Sequence, residues 1–348
     1  MQRGMITLFL MLNSVLLIEC HSNQKKQLTT EEWAERRHPP SDTSPLPEEC
    51  KAIKYLGGYY PIAAAIRGNG RYCVIHDFIQ RKAIDWIEGG IEHGSPTDSQ
   101  GDGGVLTFYK NSLSELDLRE HLISGRPFKN VNGIGILGND QVFLKVHNGK
   151  IETPGAFGIG VDMAPNIMIN KRMKMLTEDT SVTKESNWNP ETETFNKIPW
   201  DYFPPTFYTA ENLQIKSGGR AIIMAGSDNV VRNNTIEVDG RTAVYLYGPR
   251  SLVEGNTFIV HMDPRDKAPL PAILKLRDAD GSIIRNNRFI VKRSGLFRKK
   301  EEEPQAGINL LESKDVVIEG NVFEQVALPV RKDAASTTTE YGNAVDSR

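Results

Sequence analysis

Apolar residues along most of this chain come in short alternating bursts, as in AVYLY, SLVEGNTFIV and AILKL, and none of these bursts carries helical spacing over ten residues. The bursts repeat. SDNVVRNNTIEVDG at 227–240, PRSLVEGNTFIVHMD from Pro249, ADGSIIRNNRFIVKR from Ala279 and SKDVVIEGNVFEQV from Ser313 all set apolar pairs on either side of an Asn or Gly. Aligned on the residue three before the second apolar anchor, the repeats fall at Asn148, Asn170, Asn212, Asn233, Gly255, Asn286 and Gly320, in steps of 22, 42, 21, 22, 31 and 34. The period is about 22, with insertions near 174–196, 262–270 and 294–305, and such a period predicts a solenoid whose neighbouring units complete each other's core.

Of the two solenoids with short units, the leucine-rich horseshoe is excluded by the missing spaced leucines. β-Branched and aromatic residues fill the bursts instead. The expectation is an all-β, single-stranded right-handed parallel β-helix of about 22 residues per coil and about eight to ten coils. Asn170, Asn212, Asn233 and Asn286 would turn a corner in the left-handed conformation and hydrogen-bond up and down their column, with Gly replacing Asn without steric cost. Val230, Ile236, Val253, Phe258, Ile284, Phe289, Val317 and Phe323 are expected to fill the coil interior.

The N-terminal half carries a family resemblance. EECKAIKYLGGYYPIAAAIRGNGRYCVI, SELDLREHLISG and VHNGKI resemble the opening of bacterial right-handed parallel β-helix repeat proteins of the pectin-lyase-like superfamily. The matching residues are Cys50, Gly58, Tyr60, Leu116, Asp117, Leu118, His121, Ile123, Gly125, Asn148, Gly149 and Ile151. The resemblance covers roughly 50–328 and speaks to fold more than to activity; Asp117 and His121 belong to its structural rung. The stretch 84–110 departs from it with an enlarged Gly/Asp-rich loop.

Composition narrows the setting. With 42 Lys and Arg against 44 Asp and Glu among 348 residues, the formal charge is −2, and no basic excess points to nucleic acid. Arg3 precedes an apolar run from Met5 to Ile18 that ends at Cys20, the grammar of a secretory signal over 1–20. LLIEC resembles a lipoprotein cleavage site, although Glu19 stands where a small residue is expected, so a lipid on Cys20 stands beside plain cleavage and an uncleaved anchor as the alternatives. Residues 21–49 read as a polar linker, 50–330 as the β-helix domain and 331–348 as a flexible tail. A secreted or periplasmic chain with Cys50 and Cys73 is a disulfide candidate.

Candidate chemistry lies where the insertions leave the coil, all expected after the same strand of the repeat. In GIGVDM, AIIMAG, AVYLYG, AILKLRD and GINLLES, alternation sends Ile159, Val161, Met224, Val244, Leu246, Leu274, Leu276 and Leu311 inward. Two outward columns follow: Asp162, Ala225, Tyr247, Arg277, Glu312, and Gly160, Ile223, Tyr245, Lys275, Leu310. Trp188, Trp200 and Tyr202 from one insertion, with His261 and Arg265 from another, would add a sugar-binding wall, since aromatic faces stack on sugars and charges orient hydroxyls or uronates. For an acidic polysaccharide, lyase or C5-epimerase chemistry needs a base and a cation for the enolate. Lys275 suits the base because a neighbouring Arg277 favours its neutral amine, and Tyr245 or Tyr247 suits the acid. The resemblance implies that calcium can assist; Asp162, Asp201, Asp263 and Glu312 would be its oxygen ligands.

Other chemistries are less supported. Hydrolysis would draw two carboxylates from Asp162, Asp201, Asp263 and Asp266, but the paired-aspartate and Gly-His-Gly signatures of β-helix polygalacturonases are missing. DPRD at 263–266 resembles the D-P-H-D segment of alginate epimerases with Arg265 in place of His. The seven histidines show no metal-ligand spacing. The other class that fits is a non-catalytic carbohydrate-binding or cell-surface structural protein.

Overall fold

The computed structural model describes residues 49–53, 64–79 apart from 68, 104–137 apart from 110–112 and 127–130, 143–161 apart from 155–156, 188–189, 194–195, 207–262 apart from 240–241, 272–293 and 306–346. Among them there is no helix. Strands form a nine-stranded and a seventeen-stranded sheet, both wholly parallel, and one separate antiparallel pair. One coil runs through Val244–Tyr247 in the nine-stranded sheet, then Leu252–Glu254 and Thr257–Met262 in the larger one, and returns at Leu274–Arg277. The nine-stranded sheet thus counts nine coils of a parallel β-helix among the described residues.

Inward columns explain why short alternating bursts suffice. Phe258, Phe289 and Phe323 lie in register and stack with ring centroids 4.9 Å apart at each step. Val231, Val253, Ile284 and Ile318 make a second buried column. No single rung could bury such residues alone; each becomes core only when the next rung covers it. Val230 and Val317, expected inside, sit on the opposite face with Leu252 and Ile283 in a separate apolar stripe, because adjacent strand residues must point oppositely.

The double asparagine does two jobs with two residues. Asn148, Asn212, Asn233 and Asn286 hold positive φ, between 53° and 57°, with Gly255, Gly320 and Gly342 at the equivalent positions. Their C-terminal neighbours form the buried ladder: Asn234 Nδ2 donates to Asn256 Oδ1 at 2.9 Å, Asn256 to Asn287 at 2.9 Å, Asn287 to Asn321 at 3.0 Å and Asn321 to Asn343 at 3.1 Å. At 255 glycine takes the corner at φ 64°, where a Cβ would lie 2.6 Å from Asn233 Oδ1 and displace that side chain.

Three expectations are corrected. Phe143–Thr153 pairs directly with Tyr208–Ser217, so Asn148 is followed at the corner by Asn212, and Asn170, expected between them, lies outside the described residues. The insertions do not share one corner either. Residues 162–207 follow Ile159–Val161 of the nine-stranded sheet, whereas 263–273 and 294–307 precede strands of that sheet, so the excursions leave from its two opposite ends. Residues 331–346, expected as a flexible tail, complete a coil: Thr338–Tyr341 and Ala344–Asp346 pair with the strands beneath them. Their Asn343 and hydrogen-bonding strands outweigh the low apolar content that pointed to a tail. Segments 1–20 and most of 21–49, with Cys20, lie outside the described residues.

Candidate functional site

On the outer face of the nine-stranded sheet, the strands Ile222–Ala225, Val244–Tyr247, Leu274–Arg277 and Ile308–Leu311 set two columns side by side. One runs Gly160, Ile223, Tyr245, Lys275, Asn309, Arg331; the other runs Ala225, Tyr247, Arg277, Leu311. Lys275 and Arg277, two apart on one strand, therefore stack directly on Tyr245 and Tyr247, as expected. These residues are buried: Lys275 is 2% exposed, Tyr245 1%, Tyr247 3% and Arg277 8%. Outward residues of the larger sheet such as Thr235 and Arg288 are exposed, whereas Ile222–Ala225, Val244–Tyr247 and Leu274–Arg277 are buried on both faces.

The last strand sits one residue away from the expected register. Leu310 points inward above Leu276, Leu311 lies above Arg277, and Asn309 takes the place beside Lys275. Matching Asp278 with Glu312, the acid that closes each strand, would have given this register. Glu312 is consequently a step beyond the column, from which its Oε1 accepts a hydrogen bond from Arg277 Nη2 at 2.9 Å.

The same position shows backbone strain. Gly226 and Gly248 end their strands at φ of 109° and 121°, and a Cβ on Gly248 would lie 2.3 Å from Gly226 O. One and two rungs further on, Asp278 and Glu312 occupy the equivalent places with φ of 48° and 50°. Left-handed backbone at a glutamate is costly and persists only where the surroundings impose it, which is common at functional sites.

Two other expected site residues lie on other elements. His261 belongs to the larger sheet, in register with Asp239 and Lys292, and its Nε2 lies 2.6 Å from Glu237 Oε1. Trp188 lies in the short antiparallel pair opposite Phe195. Asp162, Trp200, Asp201, Tyr202, Asp263, Arg265 and Asp266 lie outside the described residues. Among the described residues no group of three His, Cys, Asp or Glu is placed to hold a metal, and Glu312 is the sole described member of the expected calcium set.

A second polar cluster was missed. On the outer face of the larger sheet near the N-terminus, Glu115 accepts from Arg71 Nε at 2.9 Å and lies 2.9 Å from His147 Nε2. The hydrogen bond from His147, opposed by burial and reinforced by Arg71, lowers the Glu115 pKa to about 2. Glu49, Cys50, Arg71, Glu115, Asp117 and Arg119 line an open cavity of about 580 Å³ beside it. Arg71, Glu115 and His147 come from three different rungs, and irregular spacing in this half of the chain hid the register. His121 keeps its structural role, with Nδ1 3.2 Å from Asp77 Oδ1. The Cys50–Cys73 disulfide ties the first strand to the next, with Cα atoms 5.6 Å apart.

Comparison with known proteins agrees with this architecture. Residues 205–345 match the family described as the right handed beta helix region, and the fold is a right-handed parallel β-helix. No curated protein matches its sequence. A chain from the complex structure of XylC with xylose matches at 10% identity and a TM-score of 0.32, over 66% of this chain and 38% of that one. This chain spans well under half the length of that protein, and a likeness so slight carries no functional information.

Proposed function

We propose that this is an exported β-helix protein that engages an acidic polysaccharide along the outer face of its nine-stranded sheet and acts on it as a lyase or C5-epimerase. The reading rests on one observation: Lys275 and Arg277 share a strand and stack on Tyr245 and Tyr247, so base, cation and acid candidates lie within one patch. Low exposure beside a second cation is the setting in which lysines serve as bases. In β-elimination the Lys275 amine takes the C5 proton of a uronate, Arg277 stabilises the enolate that forms, and the C4–O4 bond breaks. The leaving oxygen takes a proton from Tyr245 or Tyr247, and a C4–C5 double bond remains. In epimerisation the tyrosine instead returns a proton to the opposite face of C5. Calcium, if used, would neutralise the uronate carboxylate; Asp162, Asp201, Asp263 and Glu312 are its proposed ligands. Trp188, Trp200, Tyr202, His261 and Arg265 are proposed to bind the rest of the chain. Export is supported by the N-terminal apolar run and by the Cys50–Cys73 bond, since disulfides persist in oxidising compartments.

A non-catalytic glycan-binding protein is the second reading. The burial of Lys275 and the engagement of Arg277 by Glu312 favour it, because a fully occupied patch has less to offer a reacting sugar. Incubating residues 24–348 with alginate, polygalacturonate and glycosaminoglycans, with calcium or chelator, separates the two. Unsaturated uronate absorbance, or a changed C5 configuration by NMR, lost in Lys275→Ala while the fold is retained, is the expected result. Gel retardation without any product, unchanged in that variant, would assign the protein to binding.

A further inference from the structure

On the outer face of the larger sheet, one column runs Lys145, Thr209, Val230, Leu252 and Ile283 across successive strands. Val230, Leu252 and Ile283 are buried and close that column, whereas Thr209, a small residue between Lys145 and Val230, is only half-buried. A pocket of about 90 Å³ opens over Thr209, room for about three waters. Phe143, Phe207, Lys145, Glu211, Asp228 and Arg232 line it with Thr209 and Val230. Phe207 holds φ 47°, left-handed backbone that a bulky residue adopts only under constraint, and its N–H donates to Ser227 O at 3.3 Å.

The charges around this pocket are fixed by the protein itself. Glu211 is 5% exposed; its Oε1 lies 2.6 Å from Lys145 Nζ, and its Oε2 lies 2.6 Å from Arg232 Nε and 2.5 Å from Arg232 Nη2. Burial opposes its charge, yet the hydrogen bonds from Lys145 and Arg232 hold the Glu211 carboxyl below the ordinary carboxylate range. Asp228 is matched by Arg250, whose Nε and Nη2 lie 2.8 and 2.7 Å from its two oxygens. Two cations therefore face one carboxylate, and the pocket is net positive.

The remaining bonding capacity defines what fits. Lys145 gives Glu211 one of an ammonium's three donors, and Arg232 gives it two of a guanidinium's five. Glu211 has accepted three of the about four hydrogen bonds a carboxylate can take, and the Thr209 hydroxyl has no partner among the described residues. A complementary ligand brings an anion for Lys145 and Arg232, hydroxyls for Glu211 and Thr209, and an apolar face for Phe143 and Phe207. A uronate carries all three on one ring. We propose that this pocket binds the carboxylate-bearing edge of a single uronate unit, on a different sheet from Lys275, and holds an acidic glycan there without acting on it. It shares the acidic-glycan class with the reading above and uses none of the residues in that patch.

The test is NMR of the full chain labelled with carbon-13 in its threonine methyl groups, the Thr209 signal being identified by its loss in Thr209→Val. Galacturonate should shift that signal saturably at millimolar concentration. Galactose lacks the carboxylate and acetate lacks the ring, and each should bind about tenfold more weakly, the loss of one hydrogen bond to a charged group. Lys145→Met should weaken galacturonate by the same factor, and folded Lys275→Ala should leave the response unchanged. A Thr209 signal that ignores galacturonate overturns the inference, as does one that answers acetate or galactose equally, or one lost in Lys275→Ala. Failure of the catalytic reading looks different: the Thr209 response persists while no polysaccharide is altered. If Lys145→Met does not fold, Lys145→Gln, which removes the charge and keeps a donor for Glu211, is judged by the same outcomes.

Discussion

At the scale of residues, the paired asparagines divide a task that one residue per rung was expected to perform. Asn233 supplies the left-handed corner and is exposed; Asn234 is buried and carries the ladder. The division makes their substitutions unequal. Asn256 Oδ1 accepts from both N and Nδ2 of Asn234, while its own Nδ2 donates to Val231 O and Asn287 Oδ1. Asn256→Ala should cost about 3 kcal/mol or more, since it strands several buried polar groups. Asn233→Ala should cost about 1 to 2 kcal/mol, the steric cost of left-handed backbone at a non-glycine residue, and Asn233→Gly should cost little. Urea unfolding of the three variants measures the order, and equal losses at 233 and 256 would refute the division.

At the scale of elements, the outer face of the larger sheet is a run of alternating charge: Glu211, Arg232, Glu254, Arg285 and Glu319 are successive partners across the strands. Arg232 Nε lies 2.6 Å from Glu211 and Arg285 Nε 2.7 Å from Glu254. The Glu115 cluster continues this logic towards the N-terminus. Its folded pKa of about 2 lies below the ordinary 4.5, so its stabilisation is complete above pH 4.5 and disappears as pH falls towards 2. Wild type should lose about 2 kcal/mol across that window beyond what Glu115→Gln loses, after allowance for solvent screening; parallel unfolding curves for the two proteins would contradict it. Much of this element structure was legible in the sequence, because a β-helix writes its inward columns as alternating residues at one period. The register of Ile308–Leu311 was not, since Ile, Leu and Leu are interchangeable as apolar signals and a slip of one residue exchanges the two faces. The Glu115, His147 and Arg71 contacts were not legible either, for they join rungs whose spacing varies. Lys275, Arg277, Tyr245 and Tyr247 were found together because their strands carry the same short apolar frame.

At the scale of the whole molecule, the disulfide adds a covalent tie to the first described strands of a stack in which each coil is otherwise held by its neighbours. Reduction of Cys50–Cys73, separated by 23 residues, should release about 3 kcal/mol of stabilisation by the loop-closure estimate and speed amide exchange first in Lys51–Ala52 and Gly70–Cys73. Exchange that rises equally in Val316–Glu319 would show that the coils do not unravel from that end. The pairing of Phe143–Thr153 with Tyr208–Ser217 has a further consequence, in the order of assembly. The tightest rungs close over separations near 22 residues, as from Asn234 to Asn256, but this one closes over 64, as from Thr153 to Ser217. The longer closure costs only about 1 kcal/mol more, which the ladder readily absorbs at equilibrium. In time it matters more: a stack growing coil by coil slows about five-fold at that junction. The chain therefore has a seam, between Phe143–Thr153 and Tyr208–Ser217, where neighbours in the stack are far apart in the sequence.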